Sequence, residues 1–173
     1  MSQRAVLVID MLEDFISETG TLYVGEQGKK IISQIKKLLD EERRSGSSII
    51  YICDNHLMDD AEFEMFPCHC VRGTKGAEII KELAPQNGDY IITKRRYSAF
   101  AGTDLEITLK EKGVKQLILV GVCTNICVLY TAADARNLNY KVVVPENCVT
   151  SFDLEAHKFA LNEMKKTLGV EVI

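Results

Sequence analysis

The sequence predicts an α/β fold in which a six-stranded, mostly parallel sheet lies between two layers of helices. Two features of the pattern predict it. Short and almost wholly apolar runs, such as AVLVI, SIIYIC and QLILVGV, recur along the chain. Amphipathic segments of helical length separate these runs. Strands that are apolar on both faces and alternate with helices are typical of a parallel sheet covered on both sides, as in Rossmann-like folds.

The strands and helices can be placed in order along the chain. The strands are expected at residues 4–10, 48–53, 90–93, 116–120, 141–144 and 170–173. The first helix is expected at residues 25–44, because Ile31, Ile35 and Leu39 recur on one face. Gly46 suits the position just after its end. A helix at residues 103–112 is expected to begin with a capping box of Thr103 and Glu106. Further helices are predicted at residues 77–83, 125–137 and 154–167.

Length and composition favour one domain with an ordinary apolar core. The chain has 173 residues, of which 46% are hydrophobic and 27% charged, and it carries a net charge of −4. This balance argues against nucleic acid as a partner. No apolar run reaches the roughly 18 residues that would cross a membrane, and the N-terminus lacks the pattern of a signal peptide. We therefore expect a cytoplasmic protein, covering residues 1–173 as a single domain, whose six cysteines are reduced thiols.

Four of the apolar runs lead to chemically capable side chains. Asp10, Asp54 and Lys94 end three of the strand segments, and Cys127 follows a fourth. In an open parallel sheet, ligands bind outside the carboxyl ends of the strands. The pattern therefore predicts that two acids, an amine and a thiol meet in one crevice, which is the layout of an enzyme.

Cys127 is the candidate nucleophile, because it lies at the start of a predicted helix. The free N–H groups and the dipole of a helix N-terminus are expected to lower the pKa of this thiol and to hold an oxyanion. His157 is interpreted as a surface residue of the last helix. Asp10 is therefore the candidate base, with Lys94 to orient it and to hold the thiolate. The other strand-associated cysteines are interpreted as small buried hydrophobic residues: Cys53, Cys123 and Cys148.

The stretch of residues 54–76 has no periodicity, and a loop of this length is usually functional. It carries Asp54, His56, Glu62 and His69. Imidazoles and carboxylates together suit zinc, iron or manganese. Two alternatives remain open: a structural loop with surface carboxylates, and a thiolate-rich zinc site that uses the cysteines of the same region, namely Cys53, Cys68 and Cys70.

Taken together, these residues resemble the isochorismatase-like cysteine hydrolase superfamily, and within it the nicotinamidase/pyrazinamidase subgroup. VIDMLEDF resembles the motif of the catalytic aspartate, KRRYSAFAGTDL that of the catalytic lysine and GVCTNICVLYTAADA that of the nucleophile. The resemblance spans nearly the whole chain and implies a triad of Asp10, Lys94 and Cys127. It also implies a cis bond between Val122 and Cys123, with the N–H groups of Cys123 and Cys127 as the oxyanion hole.

The segment FPCHCVRGTKGAEI and the Asp54-x-His56 spacing resemble the metal motifs of the nicotinamidases. The resemblance implies a divalent metal, zinc first and iron or manganese otherwise, on Asp54, His56, His69 and a further ligand. Glu62 fits that last position better than Glu64. The implied substrate pocket is lined by Phe15, Leu22, Phe66 and Tyr97. The chain departs from the family pattern at Leu12, Cys68, Asn125 and Ile126.

The function that this resemblance implies is metal-dependent hydrolysis of nicotinamide to nicotinate and ammonia through a thioester, as in NAD salvage. One alternative keeps the triad and changes the substrate to a ureido, carbamoyl or other small amide. Another is a non-catalytic binding module of the same fold. Isochorismate hydrolysis is disfavoured because cleavage of a vinyl ether needs no thiol. The family also implies a homo-oligomer.

Overall fold

The structure is a computed structural model that describes residues 3–173. Its strands are β1 (Arg4–Ile9), β2 (Ser48–Asp54), β3 (Tyr90–Lys94), β4 (Gln116–Val122), β5 (Lys141–Val144), β6 (Val149–Thr150) and β7 (Glu171–Val172). They form one sheet in the order β3-β2-β1-β4-β5-β7, and β6 pairs with the end of β4. Every strand pair is parallel.

The helices are α1 (Glu13–Ile16), α2 (Glu26–Arg44), α3 (Leu105–Glu111), α4 (Leu129–Asn137) and α5 (Leu154–Lys166). A π-helical turn, Thr124–Val128, leads from β4 into α4. Between residues 3 and 173, no helix combines the length and the apolar character needed to cross a membrane.

The apolar side chains of the sheet divide between two cores, one on each face. Along β1, Ala5, Leu7 and Ile9 pack with residues of α3, α4 and α5. The alternate residues, Val6 and Val8, pack with residues of α1 and α2 on the other face. This alternation is the two-residue period of a strand that is buried on both sides. The predicted three-layer α/β/α architecture is confirmed.

Three local predictions were wrong. The sheet has a seventh strand, β6, which is only two residues long and too short to show a periodicity. The predicted helix at residues 77–83 is replaced by two 3-10 turns, Lys75–Ala77 and Lys81–Leu83. The capping box of α3 does not form, because Asp104 precedes the helix as its cap residue and Glu106 pairs with Lys110 instead.

Gly121 allows β1 and β4 to approach closely just before the segment that carries the thiol. Its φ is 114°, and a Cβ built on it would lie 2.0 Å from the carbonyl oxygen of Ile9. We expect Gly121→Ala to lower the free energy of unfolding by about 3 kcal/mol or more, since both backbone strain and a backbone clash oppose it. Urea unfolding of the purified variant measures this loss.

Gly113→Ala is the matched control for Gly121→Ala. Gly113 also has a positive φ, 65°, but a Cβ added there would point into open space, with nothing beyond the adjacent residues within 4 Å. This variant should lose only the conformational term, about 1–2 kcal/mol. Equal losses in the two variants would contradict a steric role for Gly121.

Candidate active site

The structure brings the four strand-end side chains together. Asp54 and Lys94 are the last residues of β2 and β3 and are paired in register. Asp10 directly follows β1 and has a φ of 52°. Its Oδ1 accepts a hydrogen bond of 2.9 Å from the backbone N–H of Asp54. One carboxylate oxygen each of Asp10 and Asp54 and the Sγ of Cys127 all lie within 4.8 Å of one another.

Lys94 lies at the centre of this cluster, and its side chain is fully buried. Its Nζ lies 2.9 Å from Oδ2 of Asp10, donates to Oδ1 of Asp54 and lies 3.4 Å from Sγ of Cys127. Burial alone would lower the pKa of Lys94, but the charges of Asp10 and Asp54 raise it above its ordinary value. The ammonium group is therefore held in its charged form between two carboxylates and the thiol.

Burial shifts the pKa values of the two candidate proton-transfer groups, Asp10 and Cys127. Burial, together with the charge of Asp54, raises the pKa of Asp10 to about 6, although Lys94 acts in the opposite direction. Burial also raises the pKa of the Cys127 thiol well above its ordinary value, despite the charge of Lys94. The net shift of the Cys127 pKa is thus opposite to the expected one, because desolvation outweighs the favourable charge of Lys94. The resting thiol is protonated beside a carboxylate that can accept its proton.

The nucleophile turn, Thr124–Val128, is held by backbone bonds to the residue before it. The carbonyl of Cys123 accepts from the N–H groups of Ile126 at 3.0 Å and of Val128 at 3.2 Å. Neither bond uses the N–H of Cys127. The peptide bond between Val122 and Cys123 is cis, as the family resemblance implies.

The last helix also contacts this turn. Nδ1 of His157, on α5, lies 2.8 Å from Oγ1 of the buried Thr124. His157 is half-buried, so it lies at the surface as predicted but also packs against the nucleophile turn. Only its position within an amphipathic helix was visible in the sequence, and the partner it meets lies 33 residues away.

A second cluster of donor atoms lies beside the first. Nε2 of His56 is 3.6 Å from Oδ2 of Asp54 and 3.8 Å from Oε1 of Glu62. Nε2 of His69 is 3.8 Å and 3.9 Å from the same two oxygens. These separations are too long for good hydrogen bonds, yet all four side chains are buried. The donor atoms of Asp54, His56 and His69 all lie within 4.8 Å of one another. Ligand atoms about 2.1 Å from a tetrahedral ion lie roughly 3.4 Å from one another, so the spacing of these three suits a metal ion.

The surroundings of the two histidines also fit a metal ion. Nε2 of His56 is buried and has no hydrogen-bond partner within residues 3–173. The other ring nitrogens are engaged, since Nδ1 of His56 contacts Asp60 at 3.1 Å and Nδ1 of His69 contacts the carbonyl of Pro67 at 2.8 Å. Such contacts orient a histidine so that its free nitrogen can bind a metal. The donor set fits a divalent cation.

Asp54 belongs to both clusters. Its Oδ1 accepts from Lys94, and its Oδ2 faces His56 and His69. Burial works to raise the pKa of Asp54, but the charge of Lys94 and the contacts with both histidines hold it well below its ordinary value. The carboxylate is therefore ionised, as a metal ligand must be.

The candidate ligands considered from the sequence lie in different surroundings. Glu62 is buried among the histidines, whereas Glu64 is exposed. The thiolate-rich zinc site does not form, because Cys53 and Cys70 pack in the apolar core while Cys68 is exposed.

A pocket connects the two clusters. All four residues predicted for a substrate pocket line it, namely Phe15, Leu22, Phe66 and Tyr97. So do the thiols of the nucleophile segment and members of the donor cluster: Cys123, Cys127, Asp54, Glu62 and His69. The rings of Phe15 and Phe66 approach His69 edge-on, with centroid distances of 5.6 and 6.4 Å. Flat apolar walls therefore lie between a thiol and a set of metal-binding atoms.

Sequence reasoning missed several residues of this site. Ile126 and Phe152 also line the pocket. Phe152 comes soon after β6, so a prediction of that strand would have placed it at the sheet edge. Asp60 is buried and accepts hydrogen bonds from Arg95 at 2.7 Å and from Arg96 at 2.9 Å, as well as contacting His56. No pattern in the sequence marked Asp60 among the acidic residues around it.

A buried thiol, a carboxylate base and a charged lysine at the carboxyl edge of a parallel sheet define a cysteine hydrolase. The chain belongs to the isochorismatase family, whose domain model matches residues 4–173. It is 38% identical to the "Uncharacterized isochorismatase family protein PncA" of Bacillus subtilis, over 98% of each chain. The crystal structure of nicotinamidase PncA from Bacillus subtilis superposes with a TM-score of 0.94, at 37% identity over 99% of each chain.

Two further solved structures are similar at the level of the whole fold. The pyrazinamidase of Pyrococcus horikoshii, solved in complex with zinc, has a TM-score of 0.93 at 32% identity over 99% of each chain. The N-carbamoylsarcosine amidase of Thermoplasma acidophilum has a TM-score of 0.90 at 33% identity, over 99% of this chain and 95% of that one. Membership of this family makes the present chain a hydrolase of linear amides.

Proposed function

We propose that this protein is a metal-dependent nicotinamidase, which hydrolyses nicotinamide to nicotinate and ammonia. The observation that carries the proposal is the composition of the pocket. One cavity is lined by the thiol of Cys127, by members of the metal-donor cluster and by aromatic side chains. Nicotinamide is a flat ring that bears a carboxamide at one position and a metal-binding nitrogen at another. Its two polar ends match the two clusters, and its ring matches the apolar walls.

Asp10 would begin the reaction by accepting the proton of the Cys127 thiol. Lys94 remains protonated and stabilises the thiolate across the 3.4 Å that separates Nζ from Sγ. The thiolate attacks the amide carbon, and the N–H groups of Cys123 and Cys127 hold the oxyanion. Asp10 then returns the proton to the leaving nitrogen, which departs as ammonia. A water molecule, deprotonated by Asp10, hydrolyses the thioester and restores the thiol.

Asp54, His56, Glu62 and His69 would hold the metal ion. When bound there, a divalent cation supplies a Lewis acid that can hold the pyridine nitrogen and draw electron density from the ring. The nitrogen and carboxylate donors suit zinc, and they also accommodate iron or manganese. The matched variants Glu62→Ala and Glu64→Ala separate the fourth ligand from its exposed neighbour, since only the former should weaken zinc binding, by at least about tenfold.

The raised pKa of Asp10 sets the expected pH dependence. A carboxylate binds a proton as the pH falls below its pKa, and protonated Asp10 cannot accept the thiol proton. We therefore expect kcat/KM for nicotinamide to fall by about tenfold per pH unit below about pH 6. Initial rates across the acid range measure this, with circular dichroism to confirm that the protein stays folded. A flat profile through that range would count against Asp10 as the base.

Ammonia release from nicotinamide tests the proposed function directly. The purified protein should bind about one metal ion per chain and release ammonia and nicotinate in equal amounts. Removal of the metal with a chelator should abolish turnover, and zinc should restore it. A metal-loaded, folded protein that leaves nicotinamide intact would refute the proposal.

A second candidate substrate class is small ureido or carbamoyl compounds. The similarity to the N-carbamoylsarcosine amidase favours it, because that chain is 33% identical with a TM-score of 0.90. The same thiol and base would catalyse its hydrolysis. Such a substrate, however, has no aromatic ring for the apolar walls and no ring nitrogen for a metal ion in the donor cluster. Comparison of kcat/KM for nicotinamide and for N-carbamoylsarcosine distinguishes the two classes.

A further inference from the structure

A second groove lies beside the end of β3 and apart from the aromatic pocket. Three arginines contribute to its lining, Arg72, Arg95 and Arg96, together with Asn55 and Thr93. No acidic side chain is among its lining residues in the described part of the chain. In a protein whose net charge is −4, a groove lined by three guanidinium groups is a local concentration of positive charge.

Each guanidinium group donates at least one hydrogen bond that orients it. The acceptor is either the neutral amide of Asn55 or the carboxylate of Asp60, which two of the arginines share. Nε of Arg72 donates to Oδ1 of Asn55 at 2.8 Å, and Nε of Arg95 donates to Asp60 at 2.7 Å. Nη1 of Arg96 donates to the other oxygen of Asp60 at 2.9 Å. The terminal nitrogens of Arg72 and Arg95 have no protein acceptor within residues 3–173. The arginines are thus oriented while several of their donors stay available.

The charge of these arginines is not balanced locally. Asp60 is the one carboxylate that Arg95 and Arg96 contact, and it also contacts His56. Among the described residues 3–173, Arg72 donates only to the amide oxygen of Asn55. Lys94 also lines the groove, and its positive charge is paired with the carboxylates of Asp10 and Asp54. The positive charge of the groove therefore exceeds the negative charge of the one carboxylate that contacts its arginines.

We propose that this groove binds the phosphate group of a small phosphorylated molecule. Guanidinium groups match phosphate oxygens through paired hydrogen bonds. A phosphate has three strongly accepting terminal oxygens, whereas a carboxylate has two. Three arginines, an amide and the hydroxyl of Thr93 offer more donors than one carboxylate can accept. The groove shares no lining residue with the aromatic pocket, although Lys94 of the proposed triad also lines the groove. The groove would exist whichever amide is the substrate.

Nuclear magnetic resonance of the metal-loaded protein tests this site with inorganic phosphate as the probe. The Nε–H signals of arginines can be followed directly in a protein of 19.4 kDa. We expect phosphate to shift the signals of Arg72, Arg95 and Arg96 in a saturable way. Acetate and chloride at the same ionic strength should shift them weakly and without saturation. Equal responses to phosphate and acetate would overturn the preference for phosphate.

Two arginine variants separate binding in the groove from binding elsewhere. Arg72→Gln should weaken phosphate binding by about tenfold, because it removes a charged donor from the site. Arg44→Gln removes an exposed charge at the end of α2 and should leave the affinity unchanged. Phosphate bound at the metal instead would be insensitive to Arg72→Gln. Equal affinities in Arg72→Gln and the unmodified protein would therefore overturn the proposal.

Discussion

Cys127→Ala is expected to abolish the hydrolysis of nicotinamide, with kcat falling by at least about 10⁴-fold. The thiol is the group that would form the covalent intermediate, and neither Asp10 nor Lys94 can replace it as the nucleophile. The substitution removes one sulfur from a buried site, so the fold should persist. The measurement is single-turnover release of nicotinate, combined with mass spectrometry of acid-quenched protein. In the unmodified enzyme, a nicotinoyl group should be found on the peptide that contains Cys127.

Cys148→Ala is the matched control, because Cys148 is also a buried thiol but lies outside the pocket. It should retain the turnover of the unmodified protein. If Cys127→Ala retained turnover, hydrolysis would proceed without a thioester. A non-catalytic binding module would be favoured by a different result. In that case the unmodified protein and Cys148→Ala would turn over no amide, and their Cys127 would react with iodoacetamide no faster than an ordinary thiol.

The sequence was sufficient to predict which strand-end side chains come together in one cluster. Parallel strands finish at one edge of the sheet, so Asp10, Asp54 and Lys94 had to approach one another once the strands were assigned. The donor set of the loop was also recognisable, because His56 and His69 are two of the three histidines in the chain. These predictions depended on residue type and on the spacing of apolar residues, both of which are visible in the sequence.

The properties that sequence reasoning missed depend on tertiary burial. The pKa of Cys127 was expected to fall because of the helix terminus, but the surrounding side chains bury the thiol and raise its pKa. Asp60 meets Arg95 and Arg96 across a separation of 35 and 36 residues. Its role as a shared acceptor exists only after the loop folds against the end of β3. Neither property has a local pattern.

Lys94→Met is expected to destabilise the fold by about 3–5 kcal/mol at neutral pH, as well as to abolish turnover. Lys94 is the buried cation that balances Asp10 and Asp54, whose carboxylates also contact its ammonium group directly. Methionine fills a similar volume but leaves two neighbouring carboxylates without a counter-charge in a desolvated site. Urea unfolding of the chelator-treated protein measures the loss. Lys110→Met is the control, since Lys110 forms an exposed pair with Glu106 that should contribute about 1 kcal/mol at most.

The pH dependence of this loss distinguishes an electrostatic cause from a packing defect. In the unmodified protein, Lys94 holds the pKa of Asp54 below its ordinary value. The pair therefore stabilises the fold at any pH above the ordinary pKa of an aspartate, and this contribution is lost as the pH falls through the lowered pKa. In Lys94→Met, Asp54 should instead take up a proton more readily in the folded state than in the unfolded state, and Asp10, whose pKa is already raised, should do so still more readily. The difference in stability between the two proteins should therefore be largest near neutral pH and shrink as the pH falls. A difference that is independent of pH would indicate that Lys94 contributes through packing rather than through its charge.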